Sequence, residues 1–336
     1  MVKSDVQGYA APALGLPLEP YTYKPPDLEE NDVRVAVTHC GVCHTDLQAI
    51  DDYYGITNFP FVPGHEIVGH VSEIGANVSG LTLGDRVGIG WQGRSCGQCE
   101  WCQQGETQLC MKIEETTVMV PYGGFSTSVV ADYRFVHLLP QGMPSENAAV
   151  LMCAGLTVYA ALERVKLTPG ASVGVIGIGG LGHLALQFAN ALGYEVTAIS
   201  SSPAKRDQAA RFGAAQFIDS NDRARLQEAD YTFDLLICTA NAGIPWEALF
   251  MTLKKRGTLL LLGFPDVAFN STELVAHELV IMGSLVGSPA VMRQMLSFAQ
   301  RHNIAPEVEC MPMQQVNEAL LKIKENRARY RVVLTT

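Results

Sequence analysis

The chain is short of the features that would send it to a membrane or to nucleic acid. In residues 1–25 no basic start is followed by an apolar stretch, and no later apolar run approaches ~18 residues, so neither secretion nor membrane spanning is supported. Positive charge is scarce too. The net charge is −10 and the pI is near 5.3, whereas nucleic acid or an anionic membrane surface favours a basic face. No internal repeat or low-complexity tract interrupts the chain. These absences predict a soluble, acidic, cytoplasmic protein with no nucleic-acid or membrane partner.

What is present is material for packing and for metal. With 336 residues, 48% of them hydrophobic and 17% charged, the chain is long enough for about two domains with a core each. Nine cysteines without an export signal read as reduced thiols, and six of them have metal-ligand spacing.

Residues 1–145 are rich in Gly, Pro and short β-branched runs, as at 33–38 and 86–89, and read as an irregular, largely β domain with its candidate ligands on loops. In the row Cys43-His44-Thr45-Asp46, a thiolate can hold zinc, an imidazole can meet a phosphate, a hydroxyl can relay a proton and a carboxylate can steady a neighbouring group. Pro63-Gly64-His65-Glu66 shapes a turn that delivers an imidazole and a carboxylate ahead of an apolar run. Either it offers metal ligands or it is a strand whose His65 is merely hydrogen-bonded. Cys96, Cys99, Cys102 and Cys110 form the most specific signal. Two overlapping Cys-x-x-Cys steps and a returning fourth thiol suit one tetrahedral ion at about 2.3 Å, and an all-thiolate site with no open position implies a structural role. Disulfides and an iron–sulfur cluster are the alternatives.

From residue 171 the texture changes. A buried strand at 172–176 runs into Gly177-Ile178-Gly179-Gly180-Leu181-Gly182, and the apolar spacing of Leu181, Leu184, Ala185, Phe188, Ala189 and Leu192 is one helix face, ended by Gly193. Strand before and helix after are the context in which such glycines let a pyrophosphate approach a helix amino end. Further strands at 195–199, 216–219, 233–238, 258–262 and 279–282 complete a doubly wound parallel sheet. A helix after Pro289, another through Val316 to Ile323 and a strand at 331–334 are expected to return to the first domain. Where an acidic residue would bind the ribose diol, the chain has Ser200-Ser201-Ser202-Pro203-Ala204-Lys205-Arg206. Hydroxyls and cations favour a 2′-phosphate, hence NADP; a serine-rich turn with solvated charges is the plainer reading.

Together Cys43, His65-Glu66, the four-cysteine lobe and Gly177 to Gly182 resemble the zinc-dependent medium-chain alcohol dehydrogenases. Cys40-Gly41-Val42 ahead of Cys43, His183 after the glycines, the triple serine and Tyr330-Arg331 make the chain most similar to the cinnamyl alcohol dehydrogenase type, NADP-linked aldehyde reductases. The resemblance covers essentially the whole chain. It implies a GroES-like catalytic domain of residues 1–145 completed by 286–336, a Rossmann domain of 146–285, two zinc ions per chain and a homodimer. It implies Cys153 as third protein ligand of a catalytic zinc with Cys43 and His65, and Glu66 as a residue that can exchange onto the metal. By the same likeness Thr45 passes the substrate proton, Asp46 supports the site, His44 and Arg331 approach the pyrophosphate, and Thr157 belongs to the cofactor site. Cys40, Cys238 and Cys310 match no ligand position.

The reaction so implied is reversible reduction of a small aliphatic or aromatic aldehyde to a primary alcohol; a zinc polyol or sugar dehydrogenase and a non-catalytic cofactor-binding protein are the alternatives. Two positions depart from the pattern. Gln48 stands where many members end their proton relay in His, and an amide does not titrate near pH 7. Trp91 and, in another segment, Tyr53 and Tyr54 put bulky rings in pocket positions and predict a narrowed cavity; the alternative is that Trp91 packs under the cysteine lobe.

Overall fold

The computed structural model describes residues 5–116 and 122–336, so the first four residues of the stretch read for a leader lie outside the described residues. The chain divides into two compact units, Met1–Cys153 with Gly287–Gln300 and Ala305–Thr336, and Ala154–Val286 with Arg301–Ile304.

The first unit is built on a seven-stranded sheet. Its long strand Asp32–Val42 pairs antiparallel with Glu66–Ile74, Ser128–Asp132 and the last strand, Arg331–Thr335. Arg86–Ile89 and Val136–Leu138 extend one side, and Val308–Pro312 pairs parallel with Arg331–Thr335 on the other. Val33, Val35, Ile67, Val87 and Val332, all fully buried, supply the core with Phe61 and Phe125. The carboxyl-terminal return expected from the sequence is therefore a strand paired on both sides, one in from the edge of the sheet. Glu146 to Cys153 also belong to this unit and not, as expected, to the second, because helix Ser145–Val150 packs on Asp32–Val42 and Glu66–Ile74.

The second unit carries a six-stranded parallel sheet in the order Gln216–Asp219, Glu195–Ser200, Ser172–Ile176, Phe233–Cys238, Leu253–Leu261, Val280–Gly283. That order, with helix Gly182–Ala191 following the first strand, is the doubly wound arrangement. Strands buried on both faces read as continuous apolar runs, which is why their positions were legible.

One sequence expectation needs correction. The helical run Ser145–Val165 has a mean hydropathy of 1.5 and is, by length and composition alone, long and apolar enough to cross a membrane; 83% of it is buried inside the protein. A helix enclosed on all sides needs apolar residues all round, so its composition approaches that of a span.

His137, 5% exposed in the strand Val136–Leu138, is a titratable group kept neutral by packing. Burial first, and Arg293 second, push its pKa from 6.5 down to about 3. Below the unfolded value the unfolded chain binds a proton that the folded chain refuses, so stability falls as the pH drops from 6.5 towards 3, at up to about 1.4 kcal/mol per pH unit. Above 6.5 this group contributes no pH dependence. In melting curves between pH 7 and 4, His137→Leu is expected to lose part of the acid-induced fall in Tm; a fall as steep as in the parent chain would contradict this assignment.

Candidate metal centres and nucleotide site

The first cluster forms where two turns meet. Cys43 ends the strand Asp32–Val42 and precedes helix His44–Ile50, and His65 precedes strand Glu66–Ile74. Gly64 makes the second turn possible. Its φ is +107°, and a Cβ there would stand 2.7 Å from the Phe125 nitrogen. Asp46, fully buried, joins the turns by accepting hydrogen bonds from the backbone N–H groups of Cys43 (2.9 Å) and Gly64 (3.1 Å) and pairing with His65 Nδ1 at 3.0 Å.

Ligand atoms of Cys43, His65, Glu66 and Cys153 all lie within 4.8 Å of one another. Cys153 arrives from a π-helical turn, Leu151–Gly155, set between helices Ser145–Val150 and Leu156–Val165. With Nδ1 engaged by Asp46, His65 Nε2 is buried without a hydrogen-bond partner, as is Glu66 Oε2. Two thiols at one point with an imidazole nitrogen and a carboxylate oxygen that have no partner fit a divalent metal of the zinc type.

Charge in the cluster follows from these contacts. Hydrogen bonding with Cys153 pulls the Cys43 thiol well below its ordinary pKa, and the same pairing raises Cys153. Burial opposes charge on His65, yet Asp46 and Cys43 together raise its pKa well above 6.5. Glu66 is pushed up to about 7, mainly by burial and against the pull of Arg331.

The structure gives Arg331 a neighbour other than the expected pyrophosphate: it is 4% exposed and its guanidinium pairs with Glu66. Gly41 leaves room for that carboxylate, since a Cβ on it would lie 1.9 Å from Glu66 Oε2. His44 is exposed at the first position of its helix, and Thr45, half-buried, accepts from the Cys43 thiol at 3.7 Å. The carbonyl of Gln48 is taken by the Tyr54 hydroxyl at 2.9 Å. Tyr53 is 63% exposed and meets Tyr54 edge to face. Trp91 is half-buried. Gln92 makes the contact to the cysteine lobe, donating to the Thr107 carbonyl at 2.8 Å.

The second cluster brings together Cys96, Cys99, Cys102 and Cys110. All four are free thiols, which sets disulfides aside. The Cys96 sulfur accepts from the Cys99 backbone N–H at 3.4 Å, and that of Cys110 from Cys96 and Lys112 at 3.5 and 3.4 Å. Backbone donors of Gln98 and Cys99 lower the Cys96 pKa to about 6, the direction a metal thiolate requires.

In the second unit the glycines divide the labour expected of a nucleotide loop. Gly177 turns the chain at φ +84°, Gly182 packs where a Cβ would be 1.9 Å from the Gly177 carbonyl oxygen, and a Cβ on Gly179 would meet nothing within 4 Å. Gly180 and Leu181 complete the half-buried turn. Ser200 is buried at the end of its strand, Ser201 is exposed and Ser202 half-buried. Lys205 donates to the Ile178 carbonyl at 2.7 Å, folding the cation over the loop. Arg206 lies 4.7 Å from the centre of the Phe217 ring, an engagement the sequence did not suggest. Thr157 is buried in helix Leu156–Val165.

Two family models match, the alcohol dehydrogenase GroES-like domain over residues 29–141 and the zinc-binding dehydrogenase over residues 180–301. The chain therefore belongs to the zinc-dependent medium-chain alcohol dehydrogenases. Within that class its likeness is to the cinnamyl alcohol dehydrogenase type. Aldehyde reductase AdhA of Synechocystis sp. is 40% identical over 332 residues, covering 98% of each chain. Cinnamyl alcohol dehydrogenase 8 of Arabidopsis thaliana is 36% identical over 99% of this chain and 96% of its own. Among solved structures, a cinnamyl alcohol dehydrogenase from Sorghum bicolor aligns with a TM-score of 0.94 and 37% identity over 99% of this chain and 98% of its own. One from Helicobacter pylori, complexed with NADP(H), aligns with 0.91 and 27% over 98% of each.

Asp46 sets both the orientation and the tautomer of His65, and groups in that position are typically worth about 10–100-fold in metal affinity. Asp46→Asn is expected to weaken zinc binding by about that factor in competition against a chromogenic chelator. Unchanged affinity would show that the His65 ring is held by other contacts.

Proposed function

We propose that the protein is a zinc-dependent, NADP-linked aldehyde reductase, converting a small aliphatic or aromatic aldehyde to its primary alcohol and back. The observation that carries this is the buried set Cys43, His65, Glu66 and Cys153, with His65 Nε2 left without a partner. The names of the relatives support the reaction class, and the NADP(H) complex of the Helicobacter pylori enzyme supports the cofactor. Two zinc ions per chain, one in each cysteine-containing cluster, and a homodimer complete the reading.

Zinc bound at the first cluster supplies a Lewis acid for the carbonyl oxygen, and the nicotinamide supplies the hydride. The protein's own share is positional. Cys43, His65 and Cys153 would hold the metal, Asp46 keeps His65 Nε2 facing it, and the Glu66 carboxylate, balanced by Arg331, is close enough to exchange as a ligand. Thr45 would hold the proton at its Oγ1 for the nascent alcohol. The relay cannot pass through Gln48, whose amide does not titrate and whose carbonyl is already engaged by Tyr54. The serine turn and Lys205, whose ammonium already lies over the glycine loop, would take the 2′-phosphate.

The first test is NADPH consumption with aldehydes from acetaldehyde through benzaldehyde to cinnamaldehyde, with mannitol and NADP for the polyol alternative. Turnover that disappears on chelation and returns with zinc is the expected result. Cofactor binding without turnover of any substrate would favour the non-catalytic alternative. Lys205→Ala should lower the NADPH-over-NADH ratio of kcat/KM by about tenfold, the worth of a charge-assisted hydrogen bond. Arg206→Ala should change it less, because that guanidinium is committed to Phe217. Equal effects from the two would contradict the assignment.

A further inference from the structure

The strand beside the serine turn runs into two carboxylates, poor neighbours for a phosphate. Gln216–Asp219 pairs with Glu195–Ser200 so that Asp219 stands opposite Ser200, and Asp222 follows shortly after. A carboxylate set next to a bound anion costs affinity by repulsion. Asp222 is engaged elsewhere: its Oδ1 caps helix Arg223–Glu228 by accepting from the backbone N–H groups of Ala224 and Arg225 at 3.1 and 3.2 Å. Asp219 is held by Asn221. The Asp219 Oδ1 accepts from the Asn221 backbone N–H at 3.0 Å, an Asx turn, and from the Asn221 side-chain amide at 3.1 Å.

The same amide reaches across to the serine turn. Asn221 Nδ2 donates to the Ser201 carbonyl at 3.0 Å, and the Ser220 N–H just before it donates to the Ser200 carbonyl at 3.1 Å. Both partners of Nδ2 are acceptors, so the nitrogen and not the oxygen of the amide faces them, and its two hydrogens are spent on oxygens that would repel a phosphate. The Ser202 N–H goes to Ser200 Oγ at 3.2 Å. The peptide between Ser201 and Ser202 is thereby fastened at its oxygen by Asn221 and at its nitrogen by Ser200, whose hydroxyl, accepting there, keeps its own proton to donate. The Lys205 N–H closes the turn on the Ser202 carbonyl at 3.1 Å. The carbonyls of Ser200, Ser201 and Ser202 are thus each taken by an N–H of the protein, and of these donors Asn221 Nδ2 alone belongs to a side chain.

On the reading of the protein as NADP-linked, with the 2′-phosphate at the serine turn, we propose that Asn221 is a positioning residue for that phosphate. It turns the Ser201 carbonyl and the Asp219 carboxylate towards itself and so keeps both acceptors off the anion. Without the amide, the Ser201–Ser202 peptide can rotate its oxygen towards the phosphate, and Asp219 keeps the backbone donor only. NADH carries a ribose hydroxyl at that point, and a hydroxyl donates to a carbonyl or a carboxylate instead of being repelled by it. Asn221 therefore acts on the choice between the two cofactors and not on hydride transfer.

The test uses the zinc-loaded enzyme and reads the NADPH-over-NADH ratio of kcat/KM for the parent chain, Asn221→Ala, Asn221→Asp and the double variant Asn221→Asp with Asp219→Asn. Calorimetric Kd values for adenosine 2′,5′-bisphosphate and adenosine 5′-monophosphate supply the same ratio without turnover. Zinc content and Tm report the fold of each variant. Asn221→Ala is expected to lower both ratios by about three- to tenfold, the worth of one hydrogen bond. Asn221→Asp should lower them further, since it sets a second carboxylate beside Asp219 and offers nothing to the Ser201 carbonyl, and Asp219→Asn should recover more of the ratio in that background than it adds to the parent chain. Ratios of Asn221→Ala equal to the parent's in a folded chain would overturn the proposal. So would constants for the two cofactors that worsen by the same factor, the mark of a turn merely loosened. A parent that binds the bisphosphate no better than the monophosphate would overturn the NADP reading itself, and the role of Asn221 with it.

Discussion

The Asp46 carboxylate is the interaction on which the first unit's chemistry depends. It is fully buried, a costly place for a charge, and its position is tolerable because Cys43 N–H, Gly64 N–H and His65 Nδ1 all converge on it. The three donors come from two turns separated in sequence. One carboxylate therefore closes the start of a helix, pins a glycine turn and leaves His65 Nε2 pointed at two thiols. If that anchor moved, Cys43 and His65 would lose their common reference, whatever became of the rest of the sheet.

A second buried contact ties this arrangement to the end of the chain. Arg331 begins the last strand, which pairs with Asp32–Val42, and its guanidinium meets Glu66 at the start of the strand on the other side of Asp32–Val42. A pair so fully desolvated is weak evidence for stability. Its effect is better described as registration: a one-residue slip of the last strand would turn Arg331 to the opposite face and strand Glu66 without its partner. The gap that admits Glu66 is made by Gly41, whose missing Cβ matters for steric reasons and not for backbone freedom.

The elements most legible in the sequence were those in which one physical requirement dominated. The inner parallel strands are apolar because they are covered on both faces, and the cysteine lobe is recognisable because tetrahedral thiolate coordination demands close spacing. The glycine loop was readable from the strand before it and the helix after it, while the separate steric settings of Gly177, Gly179 and Gly182 are seen only in the structure. What depended on tertiary approach was not readable. Cys153 sits on a π-helical turn inside a run whose apolar composition hides it, so resemblance and not spacing pointed to it. Arg331 meets Glu66 across most of the chain, and Arg206 turns onto Phe217. Neither of these pairings leaves a periodicity or a motif.

The two cysteine-containing clusters show how the same ligand type can be prepared for different ends. In the lobe, backbone N–H groups already point at the sulfurs of Cys96 and Cys110, and four thiolates would satisfy a tetrahedral ion with nothing to spare. Around Cys43 and Cys153 the preparation is by buried side chains, with Asp46 behind the imidazole and Arg331 behind Glu66. Here the polar atoms left over, His65 Nε2 and Glu66 Oε2, exceed what two thiols alone would need and include one group that can step aside. A closed, locally determined site suits holding a loop together. A site whose ligands are held from behind, by partners in distant parts of the chain, suits a metal that must accept a substrate oxygen and release it again, and that asymmetry is the physical ground for placing the reaction at Cys43 and not at the lobe.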